Sequence, residues 1–178
     1  MDNSCKHNEE VYLNQTDTIS SKVLWASSIV RTNLKLEDSY IKLDDISAEG
    51  QLETSDFFVA SFSQLVPTWN VLIDESSTLS VFVAIGNTTG YSQYYTMALW
   101  KQSYKTSTSN QEDTYGRTSI DTIIPKLDDI DRIKFKIVIA KSDTQITAIK
   151  NISITTVLTQ SQDNFDFSVL QEKAITVE

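Results

Sequence analysis

The fold is decided by the stretch from Leu79 to Trp100, which reads Leu79-Ser-Val-Phe-Val-Ala-Ile85, Gly86-Asn-Thr-Thr-Gly90 and Tyr91-Ser-Gln-Tyr-Tyr-Thr-Met-Ala-Leu-Trp100. The first run is apolar at most positions and has the length of a buried strand. The central run is typical of a hairpin, because glycine and asparagine tolerate the positive φ angles of tight turns. The stretch therefore predicts an antiparallel pair of strands at the centre of the core.

Alternation along these strands predicts which side chains share a face. In the first strand, Leu79, Val81, Val83 and Ile85 lie on one face, and Phe82 and Ala84 lie on the other. In the second strand, simple alternation places Tyr94, Thr96, Ala98 and Trp100 on one face, and Tyr95, Met97 and Leu99 on the opposite face.

Other short runs rich in β-branched and aromatic residues also predict strands. They are Val23 to Val30, Ser39 to Ile46, Asp56 to Phe62, Thr118 to Ile124, Arg132 to Ile139 and Ala148 to Val157. The polar run from Lys101 to Arg117 predicts a loop. Because no long segment has helical periodicity, we expect an all-β fold, an antiparallel β-sandwich of the jelly-roll type.

The length of 178 residues suits one domain with a substantial core. Residues 1–18 are predicted to form a disordered or loosely held arm. The sandwich is expected to span residues 19–160. Residues 161–178 are expected to form a C-terminal strand or a linker toward a downstream catalytic domain.

Composition argues against several classes of partner. The net charge of −9 and the pI near 4.6 disfavour binding to phosphate backbones and anionic lipid surfaces. No stretch approaches the roughly 18 to 20 apolar residues of a spanning helix. The single cysteine excludes an intrachain disulfide. The polar first ten residues lack the apolar region of a secretory signal.

Aromatic side chains near the predicted hairpin are the strongest candidates for a ligand site. Flat rings with a polar edge bind sugar faces and peptide side chains, and neighbouring amides can supply hydrogen bonds. The predicted ligand-binding residues are Trp69, Asn70, Tyr91, Gln93, Tyr94 and Tyr95. For Trp69 and Trp100 the favoured alternative is a place in the core between the two sheets, because large aromatic residues are usually well buried.

Acidic residues offer two further hypotheses. Asp113 and Asp121, with Gly116 between them, could contribute oxygen ligands to a calcium ion, and turn formation is the favoured alternative. No other cofactor is predicted. The carboxylates Asp44, Asp45, Asp128, Asp129 and Asp131 could act in glycoside hydrolysis, although solvated turn residues explain them more simply.

Cys5 and His7 resemble a nucleophile and base only by residue type. They lie in a polar segment without a framework to hold them, so a catalytic or zinc-binding role is disfavoured.

Several motifs along the middle of the chain carry a family resemblance. They are Gly50-Gln-Leu-Glu-Thr-Ser, Phe62, Leu65-Val-Pro-Thr-Trp69-Asn70, Tyr94 to Trp100, Gln111-Glu-Asp113-Thr-Tyr-Gly116-Arg117 and Asp121-Thr122. Together they resemble the accessory β-sandwich that precedes the catalytic domain of bacterial C39-like cysteine peptidases, over about residues 23–157. Galactose-binding-like jelly rolls share the Ser/Thr-Trp-Asn turn.

The resemblance implies an auxiliary domain rather than a peptidase, and a secreted or cell-envelope location. We therefore expect a non-catalytic module that binds carbohydrate or cell-wall polymer. The alternative is a structural or interaction domain that packs on a catalytic domain of the parent chain or on a partner subunit. An enzyme with two facing carboxylates is the third hypothesis.

Overall fold

The computed structural model describes residues 11–13, 16–44, 46–73, 77–101, 104–106, 108–141 and 148–158. These residues form sixteen strands and one short helix. The elements are β1 (Val11–Leu13), β2 (Thr16–Ser20), α1 (Ser21–Ala26), β3 (Ser28–Thr32), β4 (Leu34–Glu37), β5 (Tyr40–Leu43), β6 (Glu49–Thr54), β7 (Phe57–Val59), β8 (Phe62–Leu72), β9 (Ser77–Asn87), β10 (Gly90–Tyr91), β11 (Tyr95–Lys101), β12 (Tyr104–Thr106), β13 (Gly116–Ser119), β14 (Thr122–Pro125), β15 (Arg132–Lys141) and β16 (Ala148–Leu158).

The strands form two sheets, here named the front sheet and the back sheet. The front sheet runs β1-β7-β15-β9-β11-β12, with β10 beside β9, β6 beside β15 and β3 beside β6. The back sheet runs β13-β14-β8-β16-β5-β4, with β2 beside β16. Pairing is antiparallel except between β1 and β7. This arrangement confirms the predicted all-β antiparallel sandwich.

The core lies between the sheets and follows the alternation of the longest strands. The inward residues of β15 are Ile133, Phe135, Ile137 and Ile139, all fully buried, and they are the alternate apolar residues of the predicted strand Arg132 to Ile139. They pack beside the inward residues of β9, which are Leu79, Val81, Val83 and Ile85. The two strands pair over ten consecutive residues, so they form the continuously paired centre of the front sheet.

The hairpin that follows β9 forms without left-handed residues. None of the four glycines has a positive φ, and Asn87 has a negative one. Instead, the Asn87 side chain accepts hydrogen bonds from the backbone N–H of Thr89 at 2.9 Å and from its hydroxyl at 2.6 Å. The predicted antiparallel hairpin is confirmed, but an Asx turn closes it.

The predicted strand from Val23 to Val30 is wrong in its first half. Residues Ser21–Ala26 form α1, because the Ser20 hydroxyl accepts a hydrogen bond from the backbone N–H of Val23 and so caps the helix. Leu24 and Ser21 are the buried residues of this helix. A helix of six residues is too short to give a periodic signal in sequence, and a strand begins only at Ser28.

Strands also lie in the two segments that the sequence predicts as an arm and a loop. β1 and β2 lie within or across the segment predicted as an arm, and β12 interrupts the predicted loop between Lys101 and Arg117. The proposed segment 161–178, together with Cys5 and His7, lies outside the described residues. No helix in the described part of the chain is long and apolar enough to cross a membrane.

Candidate binding cleft

A cleft of about 430 Å³ lies between β8 of the back sheet and β11 of the front sheet. Its walls are mostly apolar, and Thr68, Thr106 and Asp121 are the polar lining residues. The apolar lining consists of Val66, Pro67, Trp69, Met97, Ala98, Leu99 and Trp100. The cleft is therefore an opening at one side of the sandwich. There, side chains do not fill the space between β8 and β11.

Each of the two strands lines the cleft with four consecutive residues, 66–69 in β8 and 97–100 in β11. Successive side chains of a strand point to opposite faces of a sheet. A cavity that touches every residue in a row must therefore run along the edge of the strand rather than across one face. The cleft therefore exposes the edge of β8 as well as side chains.

The pairing of β8 explains why its edge is open. One side of β8 pairs with β16 along almost its whole length, from Phe62 to Leu72. On the other side, β14 pairs with β8 only where Ile123 lies opposite Leu65. Among the described residues, nothing continues this side of the sheet from Val66 onward. Pro67 fits such a position, because proline in a sheet is confined to edges, strand starts and bulges.

Trp69 and Trp100 line the cleft and form a contact between the two sheets. Their ring centroids are 5.8 Å apart in an edge-to-face arrangement, with planes inclined by 71°. Such a pair contributes about 0.5 to 1.5 kcal/mol beyond the area it buries. Both rings are half-buried against the core and both line the cleft. The core interpretation and the site interpretation of Trp69 are therefore compatible.

A β-bulge reverses the predicted faces of β11 for the residues that follow Thr96. Thr96 lies opposite Phe82, but Ala98 lies opposite Val81, so Met97 is an extra residue. Beyond the bulge, Ala98 and Trp100 pair with the inward residues Val81 and Leu79. Leu99 is consequently outward and 44% exposed. The predicted grouping of Tyr94 with Ala98 and Trp100 is therefore wrong, because an inserted residue shifts every later side chain to the other face.

The mouth of the cleft contains an exposed carboxylate beside a strained residue. Asp121 is exposed in the turn between β13 and β14 and forms no ion pair with the described residues. Its neighbour Ile120 has φ 47° and is 67% exposed. A β-branched residue rarely adopts this left-handed conformation, and such strain often occurs at functional sites.

The fold places the three predicted tyrosines in two different environments, the outer face of the front sheet and the core. Tyr91 and Tyr94 are half-buried on the outer face of the front sheet. The Lys134 Nζ lies 3.9 Å from the centroid of the Tyr91 ring, and the Lys136 Nζ lies 5.9 Å from that of Tyr94. Gly86 permits this packing, because a Cβ built there would approach the Tyr91 ring to 2.5 Å.

The surroundings of both rings disfavour ionisation of their hydroxyls. Burial, together with the nearby carboxylates of Glu53 and Asp56, raises the pKa of Tyr94 to about 12. Burial and the Asp56 carboxylate also raise the pKa of Tyr91 above its ordinary value. Both tyrosines therefore stay neutral at physiological pH. Neither lines the cleft.

Tyr95 lies in the core with 0% exposure. Its hydroxyl donates a hydrogen bond of 2.6 Å to Asp113 Oδ1. We therefore do not retain Tyr95 as a ligand-binding candidate. The other two predicted polar contacts, Gln93 and Asn70, are exposed, and their roles in binding stay predictions.

Asp113 organises a loop. Its carboxylate accepts hydrogen bonds from the backbone N–H groups of Gln93, Tyr115 and Gly116 as well as from the Tyr95 hydroxyl. Burial alone would raise the pKa of Asp113, but these four hydrogen bonds outweigh it and hold the pKa below its ordinary value.

The calcium hypothesis for Asp113 and Asp121 stays a prediction. Both oxygens of Asp113 already serve the loop, and Asp121 lies at the mouth of the cleft. Within the described residues, no group of three His, Cys, Asp or Glu side chains could hold a metal ion.

The carboxylates proposed for glycoside chemistry serve turns in the described parts of the chain. Asp44 accepts hydrogen bonds from the N–H groups of Ile46 and Ser47. Asp129 accepts two from the Asn87 amide. Asp131 forms a two-point ion pair with Arg132. Asp128 is exposed, and Asp45 lies outside the described residues.

Sequence reasoning found Trp69 but missed the aliphatic wall of the cleft. Val66, Met97 and Leu99 look like ordinary strand residues, and only the three-dimensional structure shows that they share an opening. Pro67 was the available signal, because a proline within a long strand indicates an unpaired edge.

The fold and the cleft together define an all-β sandwich domain with an apolar, tryptophan-lined opening at its side. The family model described as Peptidase C39 N-terminal domain matches residues 50–156, which is more than half of the chain and includes both strands of the cleft. The chain therefore belongs to this family. A search of curated proteins found no match.

Proposed function

We propose that this chain is a non-catalytic accessory module of a C39-type peptidase and that it binds another polypeptide. The carrying observation is the cleft, which combines an open strand edge with apolar walls. An open edge offers unpaired backbone N–H and C=O groups, which an extended peptide can satisfy by adding a strand. In a peptidase, such a surface is suited to binding either a substrate segment or a neighbouring domain of the same protein.

The wall chemistry favours a polypeptide over a sugar in this cleft. Val66, Pro67, Met97 and Leu99 offer no hydrogen bonds from their side chains, whereas a sugar presents hydroxyl groups that need partners when buried. An apolar side chain, or the aliphatic part of a longer one, fits these walls without that cost.

Tryptophan fluorescence tests polypeptide binding directly. In a Trp25→Phe background, emission reports only Trp69 and Trp100, the two tryptophans of the cleft. We expect a mixture of synthetic extended peptides to shift or quench this emission saturably. An emission spectrum that responds to soluble glycans and stays constant with every peptide would contradict the proposal.

The non-catalytic part of the proposal has its own assay. The candidate carboxylates Asp44, Asp129 and Asp131 are engaged in turns and ion pairs, which supports a role in stability. We expect the full chain to hydrolyse neither fluorogenic peptides nor fluorogenic glycosides above the buffer rate. Turnover proportional to protein concentration would overturn this part.

Carbohydrate or cell-wall binding is a second candidate at a different surface. Its supporting observation is the half-buried Tyr94 beside the exposed Gln93 on the outer face of the front sheet. If this surface binds glycans, insoluble polysaccharide or peptidoglycan should retain the chain, and Tyr94→Ala should reduce retention. Retention that is absent, or unchanged by Tyr94→Ala, would count against this candidate.

A further inference from the structure

We infer that the cleft accepts a lysine or arginine side chain from an extended polypeptide strand that pairs with the open edge of β8. This inference rests on the proposed function and adds to it the geometry and charge of the bound segment. Three observations carry it: the interrupted pairing of β8, the apolar walls of the cleft and the exposed carboxylate at its mouth.

The interrupted pairing supplies a place for a strand. Because β14 leaves β8 after Leu65, a segment lying beside Val66 to Trp69 would continue the back sheet where β14 stops. On the opposite wall, β12 pairs with β11 only from Leu99 to Lys101, and Met97 and Ala98 remain beside the opening. A bound strand would use its backbone for β8 and direct alternate side chains into the cleft.

The walls suit a long aliphatic stem. Lysine and arginine bury their methylene groups along apolar surface while the charged group stays near water. Pro67, Met97 and Leu99 provide such a surface, and a cavity of about 430 Å³ has room for a side chain of this size. The rings of Trp69 and Trp100 add further apolar surface for the stem.

The mouth supplies the complementary charge. Asp121 lines the cleft, is exposed and forms no ion pair with the described residues. Its carboxylate can therefore accept hydrogen bonds from an ammonium or guanidinium group that emerges from the apolar walls. The net charge of −9 also favours the approach of basic segments over acidic ones.

Fluorescence anisotropy with three labelled peptides tests the inference on the full chain. The peptides have the sequence Thr-Val-X-Val-Thr, blocked at both ends, with X as lysine, norleucine or glutamate. Lysine and norleucine have similar stems, so their comparison isolates the charge. We expect the lysine peptide to bind about three to five times more tightly than the norleucine peptide and the glutamate peptide to bind most weakly.

Two pairs of variants locate the binding. Asp121→Asn should remove the preference for lysine over norleucine, whereas Asp128→Asn, an exposed aspartate in another turn, should preserve it. Leu99→Lys should weaken the lysine peptide about tenfold, because a cation would replace an apolar wall. Leu72→Lys is the matched control, since Leu72 is 56% exposed on β8 but does not line the cleft.

Backbone pairing requires a separate measurement. N-methylation of alternate amides in the lysine peptide removes hydrogen-bond donors that strand pairing needs. We expect binding to weaken at least tenfold when the methylated amides are those that point toward β8. Affinity that is equal for both methylation patterns and for the unmodified peptide would overturn strand addition.

The outcomes separate this inference from the proposed function. Equal affinity for lysine and norleucine peptides, with sensitivity to Leu99→Lys, would overturn the charge preference and leave polypeptide binding intact. Binding that is insensitive to both Asp121→Asn and Leu99→Lys would place the peptide elsewhere and overturn the inference alone. Failure of all three peptides, and of the peptide mixture in the tryptophan assay, would overturn both.

Discussion

At the scale of single residues, Asp113 ties the loop before β13 to the segment before β11. Its four hydrogen bonds join Gln93 and Tyr95 on one side to Tyr115 and Gly116 on the other. Sequence suggested a metal ligand or a turn residue at this position. The structure favours the turn, because the donors that converge on the carboxylate come from the protein itself.

The lowered pKa of Asp113 predicts an acid-sensitive contribution to stability. Because the folded state binds the proton less tightly than the unfolded chain does, the stabilisation is complete above the ordinary aspartate pKa of about 3.9 and is lost as the pH falls below it. Asp113→Asn should therefore be less stable than wild type at pH 7, by about 1 to 3 kcal/mol, and should lose less stability on acidification.

Urea denaturation at pH 7 and pH 3 measures this difference. Asp128→Asn is the control, because it removes an exposed carboxylate in a different turn, and it should follow the wild type closely. Parallel losses of the free energy of unfolding in wild type and Asp113→Asn would show that the hydrogen-bonded carboxylate has no special role.

Ile120 is a residue at which local strain predicts a stabilising change. Its φ of 47° costs an ordinary residue about 1 to 2 kcal/mol, and its exposed side chain gains little from burial. Asparagine adopts this conformation more readily. We expect Ile120→Asn to raise the free energy of unfolding by about 0.5 to 1 kcal/mol in thermal or urea denaturation.

The matched control at this position is Ile120→Val, which keeps the β-branch and the strain and should stay within about 0.5 kcal/mol of wild type. If Ile120→Asn is no more stable than Ile120→Val, the strained conformation is not costly. This strained position could not be predicted from local composition, because an isoleucine in a turn looks like a strand residue.

At the scale of elements, β11 shows why alternation alone misassigns a face. The antiparallel pairing with β9 follows from apolar content and the hairpin, and it was predicted correctly. The bulge at Met97 was not, because one extra residue leaves composition and strand length almost unchanged. The helix α1 was missed for a related reason: a capped helix of six residues is too short to establish a period.

The Gln111 side chain holds β11 close to the bulge. Its amide oxygen accepts a hydrogen bond from the Thr96 N–H at 2.8 Å, and its amide nitrogen donates one to the Thr96 carbonyl at 2.9 Å. A side-chain amide thus takes the place of a neighbouring strand. Gln111→Glu keeps the acceptor for the Thr96 N–H. It loses the donor to the Thr96 carbonyl and places a carboxylate oxygen beside that carbonyl oxygen.

We expect Gln111→Glu to lower the free energy of unfolding by about 1 to 3 kcal/mol, measured by urea denaturation at pH 7. Gln93→Glu makes the same chemical change at an exposed side chain and should stay within about 0.5 kcal/mol of wild type. Equal effects at the two positions would mean that added charge, rather than the lost pairing at Thr96, determines stability.

At the scale of the whole molecule, the strand patterns were sufficient to predict the sandwich. Arg132 to Ile139 is an example, because its strict alternation matches its burial residue by residue. The cleft could not be predicted in this way. It depends on where β14 stops pairing with β8, and local sequence does not encode the end of a pairing between two distant segments.

The two sheets meet at Trp69 and Trp100, and this contact links stability to the proposed function. The residues that join the sheets also line the opening, so strand residues rather than a separate loop form this part of the cleft. A division into core tryptophans and surface tyrosines does not hold for Trp69, which belongs to both the core and the cleft.

Hydrogen–deuterium exchange tests the central claim, strand addition at the cleft, most directly. The full chain is compared with and without a saturating amount of the lysine peptide. We predict slower exchange of backbone amides in the segment 66–70 of β8, with little change in β15, which is already paired on both sides. Unchanged exchange in 66–70 under saturating peptide would contradict the account.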